Sequence, residues 1–191
     1  MHTEKSVAQD IVSAGIAVRP QSAEGVGAGG VYSVVCHDAD GNVKWADSFH
    51  NLVVNQGLQD MNSKYFSGSG YTAAWYLGLV TGPGSGTTFA AADTLASHAG
   101  WTENTAYTGN RKAATFGTAT TADPSVISNS ASPAVFTMNT NAQVIAGAFL
   151  CSASSGASGI LFSAGDFTGG DKTVDSGDTL TVTYAFSLDA V

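Results

Sequence analysis

Residues 74–80 read Ala-Trp-Tyr-Leu-Gly-Leu-Val, and this short stretch decides the fold. It is almost wholly apolar, rich in aromatic and β-favouring residues, and bounded by Gly70 on one side and by Gly82-Pro83-Gly84 on the other. These features are typical of a strand that is buried on both faces. The sequence therefore predicts a central core strand here, with further strands packed against it.

The residues before this strand predict a β-hairpin. Two apolar runs, Val31–Cys36 and Val43–Ala46, are separated by a short polar segment that contains Asp40 and Gly41. The Asp-Gly pair supplies the positive φ that a tight hairpin turn requires. An EF-hand would need its glycine at position six of the loop and a glutamate at position twelve, which this segment lacks.

A helix is predicted between the hairpin and the central strand, over residues 51–66. Leu58, Met61 and Tyr65 recur at helical spacing and should form its buried face, and Asn55 can cap its start. Gly57 lowers helix stability by about 1 kcal/mol relative to alanine. The helix is expected to cover one edge or end of the sheet.

The rest of the chain predicts further β-structure. Strands are expected over residues 111–120, 125–129, 134–138, 142–151, 160–162 and 179–187, with one helical turn at 92–98 capped by Asp93. Trp101 and Tyr107 should pin the long connection before these strands to the core. The last strand alternates between apolar and polar residues, so one of its faces is wet or pairs with something polar. Short strands at this spacing predict a mainly β fold, an antiparallel, jelly-roll-like β-sandwich with one helix, over residues 31–191.

Residues 1–30 are predicted to form a separate N-terminal arm that ends in a flexible glycine-rich hinge at Gly25–Gly30. The arm is either a disordered tail or a segment that becomes ordered on a neighbouring protein. In the second case its apolar residues make the contact with the partner. These residues are Ile11, Val12, Ile16 and Val18.

Charge and hydropathy exclude several classes of protein. The net charge is -8 and only seven lysines and arginines are present, whereas nucleic-acid binding needs clustered positive charge. No apolar run approaches the ~18 residues that a membrane span needs. The N-terminus lacks the basic stub and unbroken apolar run of a signal peptide, so we expect the protein to be made and used without secretion.

The sequence predicts no catalytic residues, cofactor or metal. The local motifs of serine hydrolases, zinc proteases and structural zinc sites are absent, and the four histidines are scattered. Glu103 can pair with Asp93 for glycoside hydrolysis or with Arg111 in a structural ion pair. Cys36 and Cys151 are expected to be buried free thiols, with a single disulfide as the alternative.

Acidic residues in the C-terminal loops leave a second alternative open. They can provide oxygen ligands for a calcium ion or form solvated turns, of which the turns are favoured. These residues are Asp166, Asp171, Asp175 and Asp178.

An ordered set of landmarks from about Val31 to Val191 resembles small virion structural proteins of tailed bacteriophages. The landmarks are Asn51-Leu52-Val53 with Gly57-Leu58, Trp75 to Leu79, Ala92 to Leu95, Trp101 to Glu103, Tyr107, Arg111, Gly177 to Leu180, and Thr183-Tyr184. The resemblance implies a non-enzymatic, β-rich part of the particle. It transfers no catalytic residues onto this chain.

Two positions in the virion are consistent with this resemblance. A capsid decoration (cement) protein would bind the lattice of the major capsid protein, and the alternative is a tail adaptor, fibre-base or receptor-binding component. The N-terminal arm favours capsid decoration, because a compact sandwich has no need of an arm and a subunit that clamps neighbours does. We expect a homo-oligomer that is made in the bacterial cytoplasm and located on the virion. A glycan-processing enzyme built on a sandwich is the third hypothesis.

Overall fold

The computed structural model describes residues 25–68, 70–71, 73–82 and 87–190. Two antiparallel sheets pack face to face and enclose the core, with one helix at the side. The predicted mainly β sandwich with one helix is confirmed. Within the described residues, no helix has the length and apolar character needed to cross a membrane.

The elements follow the chain in a simple order. They are β1 (Val26–His37), β2 (Val43–His50), β3 (Leu52–Val53), α1 (Asn55–Phe66), β4 (Tyr76–Thr81), β5 (Thr102–Asn104), β6 (Lys112–Ala113), β7 (Ser125–Ser128), β8 (Ala134–Thr137), β9 (Gln143–Cys151), β10 (Leu161–Asp166), β11 (Lys172–Val174) and β12 (Thr179–Ala190). Sheet A has the strand order β2-β1-β12-β7, and β8 also pairs with β12. Sheet B has the order β3-β10-β9-β4-β5, with β11 on β9 and β6 on β4.

The predicted central strand is β4, which lies inside sheet B between β9 on one side and β5 and β6 on the other. Leu77 and Leu79 point into the main core between the sheets. Val80 points to the opposite face, into a second core that contains Trp101 and Phe149. Because the connection from 87 to 101 covers this outer face, both faces of β4 are dry, and its sequence is apolar throughout rather than alternating.

Sheet A is built on the pairing of β1 with β12, which runs from Val26 opposite Ala190 to His37 opposite Thr179. The predicted hinge at Gly25–Gly30 is therefore wrong over residues 26–30, which belong to β1. Gly30 serves packing here, since a Cβ at this position would collide with the ring and hydroxyl of Tyr184. Residues 1–24 lie outside the described part of the chain.

Helix α1 begins at Asn55, later than predicted, and packs on a different face. Val54 is the N-cap and no side chain caps the helix, so the predicted capping role of Asn55 is wrong. Gly57 is the buried residue, because its missing side chain lets the helix approach the backbone of Phe162: a Cβ there would lie 2.6 Å from the Phe162 carbonyl oxygen. The helix therefore packs through Gly57 and Met61, and Tyr65 is 83% exposed.

The connection between β4 and β5 is anchored to the core as predicted, but the helical turn predicted over residues 92–98 is not formed. Residues 92–98 form turns closed by a bridge between Thr94 and Ser97. The Asp93 carboxylate accepts hydrogen bonds from the backbone of Ala90 and from the Trp101 indole. Trp101 and Tyr107 are both buried, which confirms their predicted anchoring role.

The strands after Arg111 are confirmed apart from two regions. The long strand expected over 111–120 is reduced to β6 (Lys112–Ala113), and the short β11 was not predicted. The other predicted strands appear with boundary shifts of a few residues. The buried stripe on β12 follows the predicted alternation, since Leu180, Val182 and Tyr184 are fully buried.

Candidate interaction surface

An apolar groove of about 850 Å³ opens at one end of the sandwich, between sheet A and helix α1. We call it the end groove. Its floor is the inner face of β12 and β7 and its wall is α1. Val26 also lines it, opposite Ala190 at the end of β12, and we call this end its mouth. The residues that define it are Val26, Met61, Tyr65, Phe66, Tyr71, Trp75, Ile127, Phe162, Phe186 and Leu188.

The floor is exposed because the apolar face of β12 extends beyond the residues that pack over it. Tyr184 is fully buried, but Phe186 and Leu188, the next two residues on the same face, are only partly buried. The Phe186 ring packs edge-on against Phe162, with 5.3 Å between the ring centroids. The inner face of sheet A thus continues beyond the closed core as an open apolar surface.

The wall exists because α1 buries Gly57 and turns its last aromatic residues outward. Tyr65 and Phe66 are 83% and 79% exposed, and their rings pack edge-to-face with centroids 4.9 Å apart. Tyr71, half exposed, continues this aromatic rim and accepts a 2.6 Å hydrogen bond from the Trp75 indole. Contiguous exposed apolar groups of this kind mark surfaces that bind other molecules.

A buried polar network closes the inner end of the groove. The Tyr32 hydroxyl lies 2.7 Å from the Ser163 hydroxyl, and the Asn51 side-chain amide donates a 2.8 Å hydrogen bond to the Tyr184 hydroxyl. Burial raises the pKa of Tyr32 and of Tyr184 above the ordinary tyrosine value. Both phenols therefore stay protonated, and their hydrogen bonds hold the two sheets together.

The carboxylate pair considered for glycoside hydrolysis is not assembled. Glu103 instead forms a bidentate ion pair with Arg111, with Nε to Oε1 at 2.7 Å and Nη2 to Oε2 at 2.6 Å. Asp93 is engaged by the Trp101 indole at 3.0 Å. The alternative interpretation of Glu103, as the partner of Arg111, is confirmed.

The Arg111 site accounts for several of the sequence landmarks. The guanidinium is buried, lies over the Phe149 ring at 5.2 Å and donates to the Ala153 carbonyl at 3.0 Å. Burial opposes its charge, but the hydrogen bonds and the negative charge of Glu103 outweigh this effect, so the pKa of Arg111 is raised. These residues join the connection after β5 to β9, which is a structural role.

The acidic residues of the C-terminal loops lie in two separate groups. Lys44 bridges Asp178 at 2.6 Å and Asp175 at 3.6 Å in the turn before β12. Asp166 lies near Asp171, and burial together with that neighbouring charge raises the pKa of Asp166. Among the described residues, no group of three or more His, Cys, Asp or Glu side chains is arranged to hold a metal ion.

The two cysteines are both buried and are not bonded to each other. Burial raises the pKa of the Cys36 thiol to about 11, and it also raises the pKa of Cys151. Neither thiol is poised as a nucleophile, because the reactive thiolate form is disfavoured at neutral pH.

The predicted contact residues of the arm, Ile11, Val12, Ile16 and Val18, lie outside the described residues. The exposed aromatic residues of the end groove were not predicted as a contact surface. The available signal was Gly57, which can mark the close-packed face of a helix and so place Tyr65 and Phe66 on the open side.

No family model matches the chain, and neither the curated proteins nor the solved structures contain a match. The resemblance to phage virion proteins thus rests on the sequence landmarks alone.

Proposed function

We propose that this protein is a non-enzymatic structural component of a tailed-phage virion, a decoration protein on the capsid exterior that binds the major capsid protein lattice. The end groove is the observation that carries the proposal. It provides a large, open apolar surface on a domain whose remaining core is closed. The landmarks supply the link to virion proteins.

The position of the groove supports a role in assembly. Val26, the first residue of β1, lies at its mouth, so residues 1–24 join the domain beside the groove. The end groove and the attachment point of residues 1–24 therefore lie at the same end of the domain, and both suit contact with neighbouring proteins. Tyr65 and Phe66 are both exposed on the wall of the groove, and both residue types are enriched in the cores of protein interfaces.

The test is incorporation of variants into phage particles that lack the wild-type copy. A deletion must stop at Glu24, because residues 26–30 belong to β1. We expect the deletion of residues 1–24 to abolish incorporation and to leave the thermal unfolding of the domain unchanged. Incorporation of the truncated protein at the wild-type level would contradict the proposal.

A matched pair of variants locates the contact within the deleted segment. Replacing Ile11, Val12, Ile16 and Val18 with serine should reproduce the loss. Replacing Ser6, Ser13 and Ser22 with alanine in the same segment should have no effect.

A tail adaptor, fibre-base or receptor-binding role is the second candidate. The half-exposed threonines on the outer face of β12, Thr179, Thr181 and Thr183, favour it, since they form a polar strip on sheet A. Copy number in purified particles separates the two roles. Hundreds of copies per virion indicate the shell, and a dozen or fewer indicate the tail.

A further inference from the structure

We propose that the end groove of one copy receives the apolar stretch of residues 11–18 of a second copy, so that copies link through exchanged N-terminal segments. This inference rests on the proposed function, because a decoration protein holds its copies side by side. It adds the identity of the groove's occupant, which the proposed function leaves open.

The apolar lining of the groove suits the binding of an apolar chain segment. Phe186 and Leu188 on its floor are only partly buried, and Phe66 on its wall is almost fully exposed. The groove is lined by residues of a sheet face and of helix α1. An amphipathic segment that docks in such a groove buries its own apolar face together with the apolar surface of the groove.

The preceding part of the chain has the matching chemistry. Residues 11–18 contain four β-branched apolar side chains within eight positions, namely Ile11, Val12, Ile16 and Val18. Charged residues stand at both flanks, Asp10 before the stretch and Arg19 after it. A short apolar stretch between charged flanks suits a segment that buries its centre and keeps its ends in water.

The point of attachment favours a second copy over the same copy. The chain enters the domain at Val26, which lines the groove and pairs with Ala190, two residues beyond the floor residue Leu188, so a preceding segment must reverse direction to lie over its own floor. Residues 19–25 can span about 23 Å when extended, and Pro20 disfavours the helical backbone at Arg19. A link of this kind reaches an adjacent molecule without the tight reversal that entry into its own groove would require.

The exchange is a heterologous contact, with a segment on one partner and a groove on the other. Such contacts form rings when the geometry closes and open chains when it does not. Each copy then has one segment to give and one groove to fill. Two defective variants can therefore complement each other, and this provides the test.

The experiment uses analytical ultracentrifugation of four purified proteins. They are the full chain, the chain without residues 1–24, a full chain with Tyr65→Lys and Phe66→Lys, and a control with Gln59→Lys. Gln59 is exposed on the same helix but does not line the groove. Lysine suits the C-terminal turn of a helix, so the groove variant should fold, and equal thermal midpoints check this.

We expect the full chain and the Gln59→Lys control to associate with concentration. The truncated chain and the groove variant should each associate at least tenfold more weakly. Their mixture should form a one-to-one heterodimer, because the first keeps an open groove and the second keeps its segment.

Three results would overturn the inference. A full chain that is monomeric at about 100 µM would exclude the exchange of segments between copies. Association that survives removal of residues 1–24 would assign it to another surface. Defective variants that fail to complement would show that the groove takes a different protein.

The exchange of segments and the proposed function can each fail without the other. If the protein decorates particles and is monomeric in solution, only the exchange fails. If copies exchange segments but are absent from particles, only the virion role fails.

Discussion

At the scale of single residues, Glu103 and Arg111 form a bidentate, largely buried ion pair. Arg111 is buried and Glu103 is mostly so, with side-chain exposures of 5% and 22%. Removing one partner leaves a buried charge without its counterion, which is strongly destabilising. Because Glu103 has some contact with water, the cost should be smaller than for a fully buried pair.

We predict that Glu103→Gln lowers the free energy of unfolding by about 2 kcal/mol, measured by denaturant titration. Asp40→Asn is the matched control, since Asp40 is an exposed carboxylate in the β1–β2 turn and should change stability by less than about 0.5 kcal/mol. Equal stabilities of the two variants would contradict a structural role for the ion pair. Loss of a glycan-cleaving activity in Glu103→Gln with stability unchanged would point to an enzyme instead.

Cys36 gives a prediction about pH. Its pKa in the folded protein is raised from 9.0 to about 11 by burial, with the nearby Asp178 adding to the effect. The folded state thus keeps the proton over a range in which the unfolded chain releases it. The stabilising contribution is complete below about pH 9 and is lost as the pH rises from 9 to 11.

We predict that the difference in unfolding free energy between wild type and Cys36→Ala is constant up to about pH 9 and shrinks between pH 9 and 11. Denaturant titrations of both proteins across this range measure it, and the subtraction removes the tyrosines and lysines that titrate in common. A difference that does not vary with pH would show that the thiol keeps an ordinary pKa when folded.

At the scale of elements, helix α1 shows how one close contact overrides a sequence pattern. The spacing of Leu58, Met61 and Tyr65 predicts an apolar face, but the helix is seated through Gly57. Backbone atoms of Phe162 occupy the space where a side chain would be, and the same Phe162 carbonyl accepts a hydrogen bond from Val54. The start of the helix is therefore fixed to β10 at short range.

We predict that Gly57→Ala destabilises the domain by about 2 kcal/mol, against the gain of about 1 kcal/mol that alanine gives in a free helix. Gln59→Ala, an exposed position in the same helix, should be neutral or slightly stabilising. Thermal unfolding followed by circular dichroism distinguishes them. A stabilised Gly57→Ala variant would mean that the helix can move away from β10.

Strand β4 is where the sequence was most informative. Leu77 is fully buried, and the strand lies inside sheet B. We predict a loss of about 2–5 kcal/mol for Leu77→Ala, measured by denaturant titration. Val135→Ala removes the same kind of group from a position that is 48% exposed and should cost well under 1 kcal/mol. A folded Leu77→Asp protein would show that β4 is not central.

A physical rule decides which features of the fold are predictable from the sequence. Residues whose role depends on local chemistry were predictable: the apolar run of β4, the Asp-Gly turn before β2 and the alternation in β12. The face of α1 and the strand conformation of Gly27, Gly29 and Gly30 were not, because distant partners decide them. Gly30 belongs to a strand because Tyr184 lies against it, and no local pattern reports that contact.

At the scale of the whole molecule, the same rule explains why the end groove was not foreseen. Its floor comes from β12 and β7, its wall from α1 and its mouth from β1. No stretch of sequence contains more than one of these parts. By contrast, Glu103 in β5 and Arg111 are only 8 residues apart in the chain, and for that reason the pair could be named as an alternative in advance.

The topology makes a prediction about folding. Strand β1 pairs with the last strand of the chain, and the Ser187 hydroxyl bonds to the Gly29 carbonyl across 158 residues. Sheet A thus cannot form until the two ends of the chain meet, and folds dominated by such distant pairings fold in milliseconds to seconds. Stopped-flow tryptophan fluorescence should show refolding in this range. Completion within about 100 µs would contradict it.

The placement of β1 has a mechanical consequence. Residues 1–24 attach to a strand of 12 residues that pairs with β12 along its whole length and with β2 from Val31 to His37. A pull on that attachment along the strand axis loads both ladders in shear, so many hydrogen bonds must break together. A force applied to residues 1–24 is thereby transmitted to an inner strand of sheet A and not to an edge strand. The domain therefore resists being unfolded by a pull on this segment.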